Sequence, residues 1–93
     1  MARVHVAFAT AMLGAPLAGA NPESAETLES GAAAVTSTIT AGNANVAVVT
    51  AEGPVWVAIG RPATANASWL VLEGQTREFG VVPPGATISV LDA

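Results

Sequence analysis

The chain has 93 residues and a formal net charge of −4, with three arginines and no lysine, so it lacks the basic surface that binding to DNA or RNA requires. It contains no cysteine, which excludes a disulfide framework, a thiolate zinc site and a cysteine nucleophile. Only 11% of the residues are charged, and a domain of this size builds a modest core. We therefore expect part of the surface to be covered by protein and predict a homo-oligomer, with a trimer favoured.

Residues 1–20 allow two interpretations. The first interpretation is a secretory signal cleaved after Ala20. The pattern has a short basic start at Arg3, an apolar run from Val6 to Leu17 and a small-residue site ending at Ala20. Near the start of the chain, apolar residues occupy every second position, at Val4, Val6 and Phe8. This period of two is typical of a half-buried strand. We predict an N-terminal strand or arm, with its strand from Arg3 to Thr10, and keep a secreted or periplasmic domain as the alternative.

Residues 21–31 are predicted to form an acidic connector or a short helix. Asn21 suits the N-cap, Pro22 the first helical position and Gly31 the C-terminal stop. On such a helix Glu23, Glu26 and Glu29 would share one face. A solvated acidic face is favoured over a cation site, because calcium loops use denser and more varied oxygen donors.

Residues 33–91 have the pattern of a β core. Short β-branched and apolar runs alternate with turns that contain Gly, Pro and Asn, which is typical of antiparallel strands. The runs are Ala33 to Thr40, Asn45 to Ala51, Val55 to Ile59, Ser68 to Leu72, Gln75 to Val82 and Ala86 to Leu91. Together with the N-terminal strand they predict a single all-β domain over residues 1–93, a small antiparallel β-sandwich or barrel of about seven short strands.

Two finer predictions follow from these runs. Glu52-Gly53-Pro54 is expected to close a hairpin between the strands that end at Ala51 and begin at Val55. The core is expected to include the central residues of the most apolar strands: Val48, Val57, Ile59, Leu70, Val71, Ile88 and Val90.

The residue types needed for catalysis are sparse. His5 is the single histidine and Asp92 the single aspartate, and no Gly-x-Ser-x-Gly element is present. We therefore predict a protein that is not an enzyme, with no catalytic, cofactor-binding or metal-binding residues and no cofactor.

Seven residues are candidates for an interface. Tryptophan is the residue type that most often anchors an interface, arginine pairs across subunit boundaries, and an N-terminal strand can add to a neighbour's sheet edge. The candidates are Val4, Val6, Phe8, Trp56, Arg61, Trp69 and Arg77. The two tryptophans also leave a carbohydrate-binding module as an alternative.

The C-terminal half carries four segments that resemble small virion proteins of tailed bacteriophages encoded among head and tail genes. The segments are residues 55–60 (VWVAIG), 62–65 (PATA), 74–80 (GQTREFG) and 85–90 (GATISV). The resemblance covers about forty residues, and these motifs are structural rather than catalytic. It implies a β-rich capsid cement or decoration protein on the capsid surface, whose partners are the major capsid protein or other virion proteins. A neck or tail component is the alternative, and neither nucleic acid nor membrane is an expected partner.

Overall fold

The computed structural model describes residues 2–10, 24–42, 44–80 and 82–93. These residues form eight β-strands and no helix: β1 (Arg3–Ala9), β2 (Ser24–Glu29), β3 (Val35–Thr36), β4 (Val46–Ala51), β5 (Val55–Ile59), β6 (Trp69–Val71), β7 (Thr76–Gly80) and β8 (Ile88–Asp92). Sheet A has the strand order β2-β1-β4-β7, and sheet B has the order β3-β8-β5-β6. All pairings are antiparallel, so the predicted small all-β domain is confirmed; of the two predicted architectures, sandwich or barrel, the two separate sheets form a sandwich, with eight strands instead of about seven.

The core lies between the two sheets and consists of small and β-branched side chains around Phe8. Along β1 the residues Val4, Val6 and Phe8 point inward and are fully buried. Sheet B supplies the opposing layer, which contains Val55, Val57, Val71, Ile88 and Val90. Of the predicted core, Val57, Val71, Ile88 and Val90 are confirmed, and Ile59 packs against the core while partly buried.

Two residues were wrongly predicted to be in the core. Val48 lies on the outer face of sheet A, opposite Ala7 and Glu78, and is only half-buried. Leu70 lies on the outer face of sheet B and is 36% exposed. Both sit in continuous apolar runs, where a period of two cannot tell the inner face from the outer face.

The strand predicted at the N-terminus is confirmed as β1, but the acidic connector or short helix predicted over residues 21–31 is wrong where the structure describes it. Residues 24–29 instead form β2, paired with β1 from Phe8↔Ser24 to Arg3↔Glu29. Leu28 is buried on the inner face of this strand. Burial against β1 therefore overrides the helix preference of the Ala and Glu residues. Asn21 to Glu23 lie outside the described residues.

The strand predicted from Ala33 to Thr40 is reduced to Val35–Thr36, which pair with Val90 and Ser89 of β8. The ladder ends after one further backbone bond, from the N–H of Ser37 to the carbonyl of Ile88 at 2.8 Å, because the Ser37 side chain takes the reciprocal bond. The Ser37 hydroxyl accepts the N–H of Ile88 at 3.0 Å and donates to the carbonyl of Ile39 at 2.9 Å. Local bonds of this kind compete with regular sheet pairing.

The hairpin predicted between β4 and β5 is wrong, because the two strands lie in different sheets. Pro54 has no N–H to donate to a ladder, and the chain at Glu52-Gly53-Pro54 crosses from sheet A to sheet B. Gly53 is buried there, and a Cβ at this position would lie 2.9 Å from the Cβ of Ala2. The connection therefore packs against the start of β1 and requires glycine.

Ser30 closes this end of the sandwich and is fully buried. Its hydroxyl accepts the N–H of Ala2 at 2.9 Å and donates to the carboxylate of Asp92. Its own N–H donates to the carbonyl of Ala2 at 2.8 Å, and the N–H of Asp92 donates to the carbonyl of Gly31 at 3.0 Å. One hydroxyl therefore links the first residues of sheet A to the last strand of sheet B.

Replacing Ser30 by alanine should lower the free energy of unfolding by about 1 to 3 kcal/mol, because the Ala2 N–H and the Asp92 carboxylate lose a buried partner. Urea unfolding followed by tryptophan fluorescence measures this difference. The control is Thr36→Ala, at an exposed position of β3. Equal stability of the two variants would contradict a linking role for the Ser30 hydroxyl.

Candidate functional site

The predicted interface residues divide into two groups in the structure. Val4, Val6 and Phe8 are in the core, so their side chains are not on the surface and the interface prediction for them is wrong. β1 is also paired on both sides, with β2 and β4, and has no free edge to add to a neighbour's sheet. The alternation that suggested a strand was correct, but it marks the inner face of a central strand.

The outer face of sheet B carries large apolar side chains. Trp56 lies directly opposite Leu70 on one side and Leu91 on the other, so all three share this face. Leu72, two residues beyond Leu70, is 54% exposed. We call Trp56, Leu70, Leu72 and Leu91 the apolar face of sheet B. Exposed apolar groups clustered in this way are typical of surfaces that bind another protein.

The outer face of sheet A is polar by contrast. His5 lies between Thr27 and Glu52, with its Nδ1 3.1 Å from the Thr27 hydroxyl and its Nε2 2.8 Å from the Glu52 carboxylate. The hydroxyls of Thr50 and Thr76 are 2.8 Å apart on neighbouring strands. His5 is thus an exposed strand residue. The two faces of the sandwich differ in character, and sheet B presents the apolar one.

Trp69, Arg77 and Phe79 form a stack at the side of the sandwich where β6 and β7 are the edge strands. The guanidinium carbon of Arg77 lies 5.1 Å from the centre of the Trp69 ring and 6.0 Å from the centre of the Phe79 ring. Arg77 also donates to the carbonyl of Leu70 at 3.3 Å. Cation–π contact and this hydrogen bond hold Trp69 in place although its side chain is 59% exposed.

A cleft of about 540 Å³ opens beside this stack, between the edges of the two sheets. The residues that line it include Ile59, Arg61, Trp69, Phe79, Val82 and Pro83. Arg61 donates to the carbonyl of Ala67 at 2.8 Å, which fixes the loop between β5 and β6. The structure therefore brings Arg61, Trp69 and Arg77 together, whereas Trp56 belongs to the apolar face of sheet B.

Three residues of these surfaces were missed as interface candidates. Leu70 was placed in the core, and Leu72 and Phe79 were treated only as strand residues. The available signal was the run Trp69-Leu70-Val71-Leu72, in which four consecutive large apolar side chains cannot all face one core. β6 is an edge strand, so only Val71 of this run is fully buried.

Glu26 holds the opposite side of the sandwich, where β2 and β3 are the edge strands. Its carboxylate accepts the N–H of Thr38 at 2.8 Å, the Thr38 hydroxyl at 2.8 Å and the N–H of Ile39 at 3.4 Å. Burial desolvates the carboxylate and raises its pKa, but these hydrogen bonds outweigh that effect and hold the pKa below its ordinary value of 4.5. Glu29 lies on the other face of β2, so the shared acidic face predicted for a helix does not form.

The lowered pKa of Glu26 predicts a pH-dependent contribution to stability. A carboxylate with a lowered pKa in the folded state stabilises the fold above pH 4.5, and this contribution is lost as the pH falls through the folded-state pKa. Glu26→Gln should therefore be less stable than the wild type at neutral pH and equally stable in strong acid. Thermal unfolding from pH 2 to 7 measures this, with Glu29→Gln as the control; a difference independent of pH would contradict the prediction.

Residues 2–10, 24–42, 44–80 and 82–93 contain no group of three or more His, Cys, Asp and Glu side chains that could hold a metal ion. No helix that is long and apolar enough to cross a membrane occurs in these same ranges. No family model, no curated protein and no solved structure matches this chain.

The candidate site consists of two neighbouring surfaces, the apolar face of sheet B and the cleft between β6 and β7.

Proposed function

We propose that this protein is a non-enzymatic structural protein of a tailed-phage virion, a cement or decoration subunit that binds the capsid surface through the apolar face of sheet B. The observation that carries the proposal is that face, with Leu70 and Leu72 36% and 54% exposed beside Trp56 and Leu91. The resemblance of residues 55–90 to small virion proteins supports the choice of partner, because β5, β6 and β8 of sheet B all lie within that half.

The physical argument is one of buried area. A stable interface buries about 800 Å² on each partner, and its centre is enriched in large apolar and aromatic side chains. Tryptophan at the centre of such a patch is the residue type that most often dominates binding. Trp56 has this position: it lies opposite Leu70 on one neighbouring strand and opposite Leu91 on the other. The polar outer face of sheet A then faces solvent.

A homo-oligomer, with a trimer favoured, is part of the proposal. The core of a 93-residue chain is modest, and buried surface between subunits adds to the stability of each one. Light scattering of the purified protein tests this part. A monodisperse monomer at micromolar concentration, stable without other virion proteins, would contradict it and leave binding to the shell as a separate question.

The function is tested with virus particles that lack the protein. A subunit that binds only the assembled shell stabilises it by mass action, so depleted particles should rupture at a lower temperature, and adding purified protein should restore the loss at stoichiometric occupancy. Equal robustness of the depleted particles would overturn the cement role. Localisation in a few copies at the tail would favour the neck or tail alternative.

Two further alternatives have separate tests. Intact mass of the mature chain distinguishes the virion protein from a secreted or periplasmic domain cleaved after Ala20. Titration with glycans, followed by tryptophan fluorescence, tests a carbohydrate-binding module, for which the exposed Trp69 ring is the relevant surface. A saturable change at millimolar glycan would favour that class.

A further inference from the structure

The two edge strands beside the cleft differ in how their free backbone groups are used. β6 is the edge of sheet B, and side chains occupy one of its outward backbone groups and one just beyond it: Arg77 donates to the carbonyl of Leu70 at 3.3 Å, and the N–H of Leu72 donates to the Gln75 side chain at 2.9 Å. Covering an edge in this way disfavours the addition of another strand. β7 is the facing edge of sheet A.

Among residues 2–10, 24–42, 44–80 and 82–93, no strand pairs with the outer edge of β7. The N–H of Ala51 donates to the carbonyl of Gln75 at 3.2 Å, one step beyond the pair Thr50↔Thr76. Because hydrogen-bonded and non-hydrogen-bonded pairs alternate along an antiparallel ladder, Thr76, Glu78 and Gly80 direct their N–H and C=O groups away from β4. All three are exposed, and these groups make no hydrogen bond to another residue that the structure describes.

We propose that β7 accepts an extended segment of a partner protein as a fifth strand of sheet A, with the partner's alternate side chains filling the cleft. Successive residues of such a strand point to opposite faces. Those that point inward would lie beside Phe79 and over the Trp69 ring, in the space of about 540 Å³. Those that point outward would lie beside Thr76 and Glu78, and a Cβ placed at Gly80 meets no atom within 4 Å.

Charge and shape define the partner segment. The chain has a net charge of −4, yet two of its three arginines are in this region: Arg61 lines the cleft, and Arg77 stacks on the rings of Trp69 and Phe79, which also line it. Neither guanidinium is within ion-pair distance of a carboxylate among the described residues. The segment that fits alternates bulky apolar residues with polar or basic ones and places one acidic residue near Arg61. Main-chain hydrogen bonds supply affinity in such strand addition, and the alternate side chains supply specificity.

The proposal deepens the proposed function by naming the chemistry of the capsid segment, and it rests on that function for the identity of the partner. Its test uses the full chain and a defined probe. The probe is a capped peptide that alternates valine with threonine, has one glutamate at an inward position and carries flanking lysines; a scrambled peptide of the same composition is the control. Amide hydrogen exchange by NMR and tryptophan emission are measured.

We expect the alternating peptide to slow exchange of the Thr76, Glu78 and Gly80 amides at least tenfold and to shift the emission of Trp69, while the scrambled peptide does neither. Glu78→Pro removes an N–H that the fold does not use, so the variant should keep its melting temperature and bind the peptide at least tenfold more weakly. Glu78→Gln, which keeps the N–H, should bind like the wild type. Arg61→Glu should weaken binding, and a peptide with lysine in place of glutamate should restore it.

Absence of binding at millimolar peptide, or binding without protection of these three amides, would overturn the proposal. Protection that rises with protein concentration in the absence of peptide, together with a dimeric mass, would assign the edge to a second copy and also overturn it. If Glu78→Pro does not fold, the proposal is decided by two other results: the protection of the wild-type amides, and the binding of Arg61→Glu to the two peptides of opposite charge. Intact binding of Glu78→Pro to depleted particles would remove this inference and leave the proposed function in place.

Discussion

Truncating Phe8 to alanine is expected to lower the free energy of unfolding by about 3 to 5 kcal/mol. Phe8 is fully buried at the centre of sheet A, opposite Ala47 on β4 and Ser24 on β2. Small neighbours of this kind cannot extend to fill the space that the ring leaves, so most of the cavity should persist. Domains of this size are stable by only about 5 to 15 kcal/mol, and the variant should therefore unfold near or below ambient temperature if the wild type is at the lower end.

The matched control is Val48→Ala, which removes apolar atoms from the outer face of the same sheet. Val48 is half-buried there, and its truncation should cost about 1 kcal/mol or less. Chemical unfolding followed by far-ultraviolet circular dichroism measures both variants. The comparison tests the register of sheet A directly, because shifting β4 by one residue exchanges its inner and outer faces. A larger loss for Val48→Ala than for Phe8→Ala would contradict the register.

Strands could be predicted from the sequence where apolar and polar residues alternate along them, or where Gly and Pro mark their ends, since both signals are local. β1, β4, β5 and β8 therefore lie close to their predicted positions. Strand partners could not be predicted, because pairing depends on contacts between distant residues. β4 and β5 are adjacent in sequence and were expected to form a hairpin, yet Pro54 and the close packing of Gly53 on Ala2 send the chain to the other sheet. β2 has helix-forming residues and is a strand only because β1 pairs with it.

The candidate site was predicted in part. Trp69, Arg61 and Arg77 were selected for their residue types; in the structure Trp69 and Arg61 line one cleft, and Arg77 stacks on the Trp69 ring beside it. Val4, Val6 and Phe8 were selected because their strand was thought to be a free arm, a property that depends on its partners and not on its own sequence. Leu70 shows the converse error. Its apolar run suggested burial, but Leu70 points to the outer face of sheet B with Trp56, and no third layer of the described residues covers that face.

If the protein is the proposed capsid subunit, placing one negative charge on the apolar face of sheet B should weaken its binding to the shell by at least a hundredfold, which corresponds to about 2.7 kcal/mol. Leu72→Glu is the variant of choice, because Leu72 is 54% exposed and its replacement leaves the core intact. Burying a carboxylate against a partner without a counter-charge costs more than the lost apolar contact alone. Binding to particles that lack the protein is measured by sedimentation, and the melting temperature of the free variant should change little.

Ala25→Glu is the control for this change, since it places the same charge on the exposed outer face of β2 in sheet A. If sheet B faces the shell, the control should bind like the wild type and restore the thermal stability of depleted particles, while Leu72→Glu restores neither. Equal loss in both variants would indicate a general charge effect and contradict a defined docking face. Loss only in Ala25→Glu would reverse the orientation, because the polar face with His5, Thr27 and Glu52 would then contact the shell and the apolar face would join subunits of the homo-oligomer.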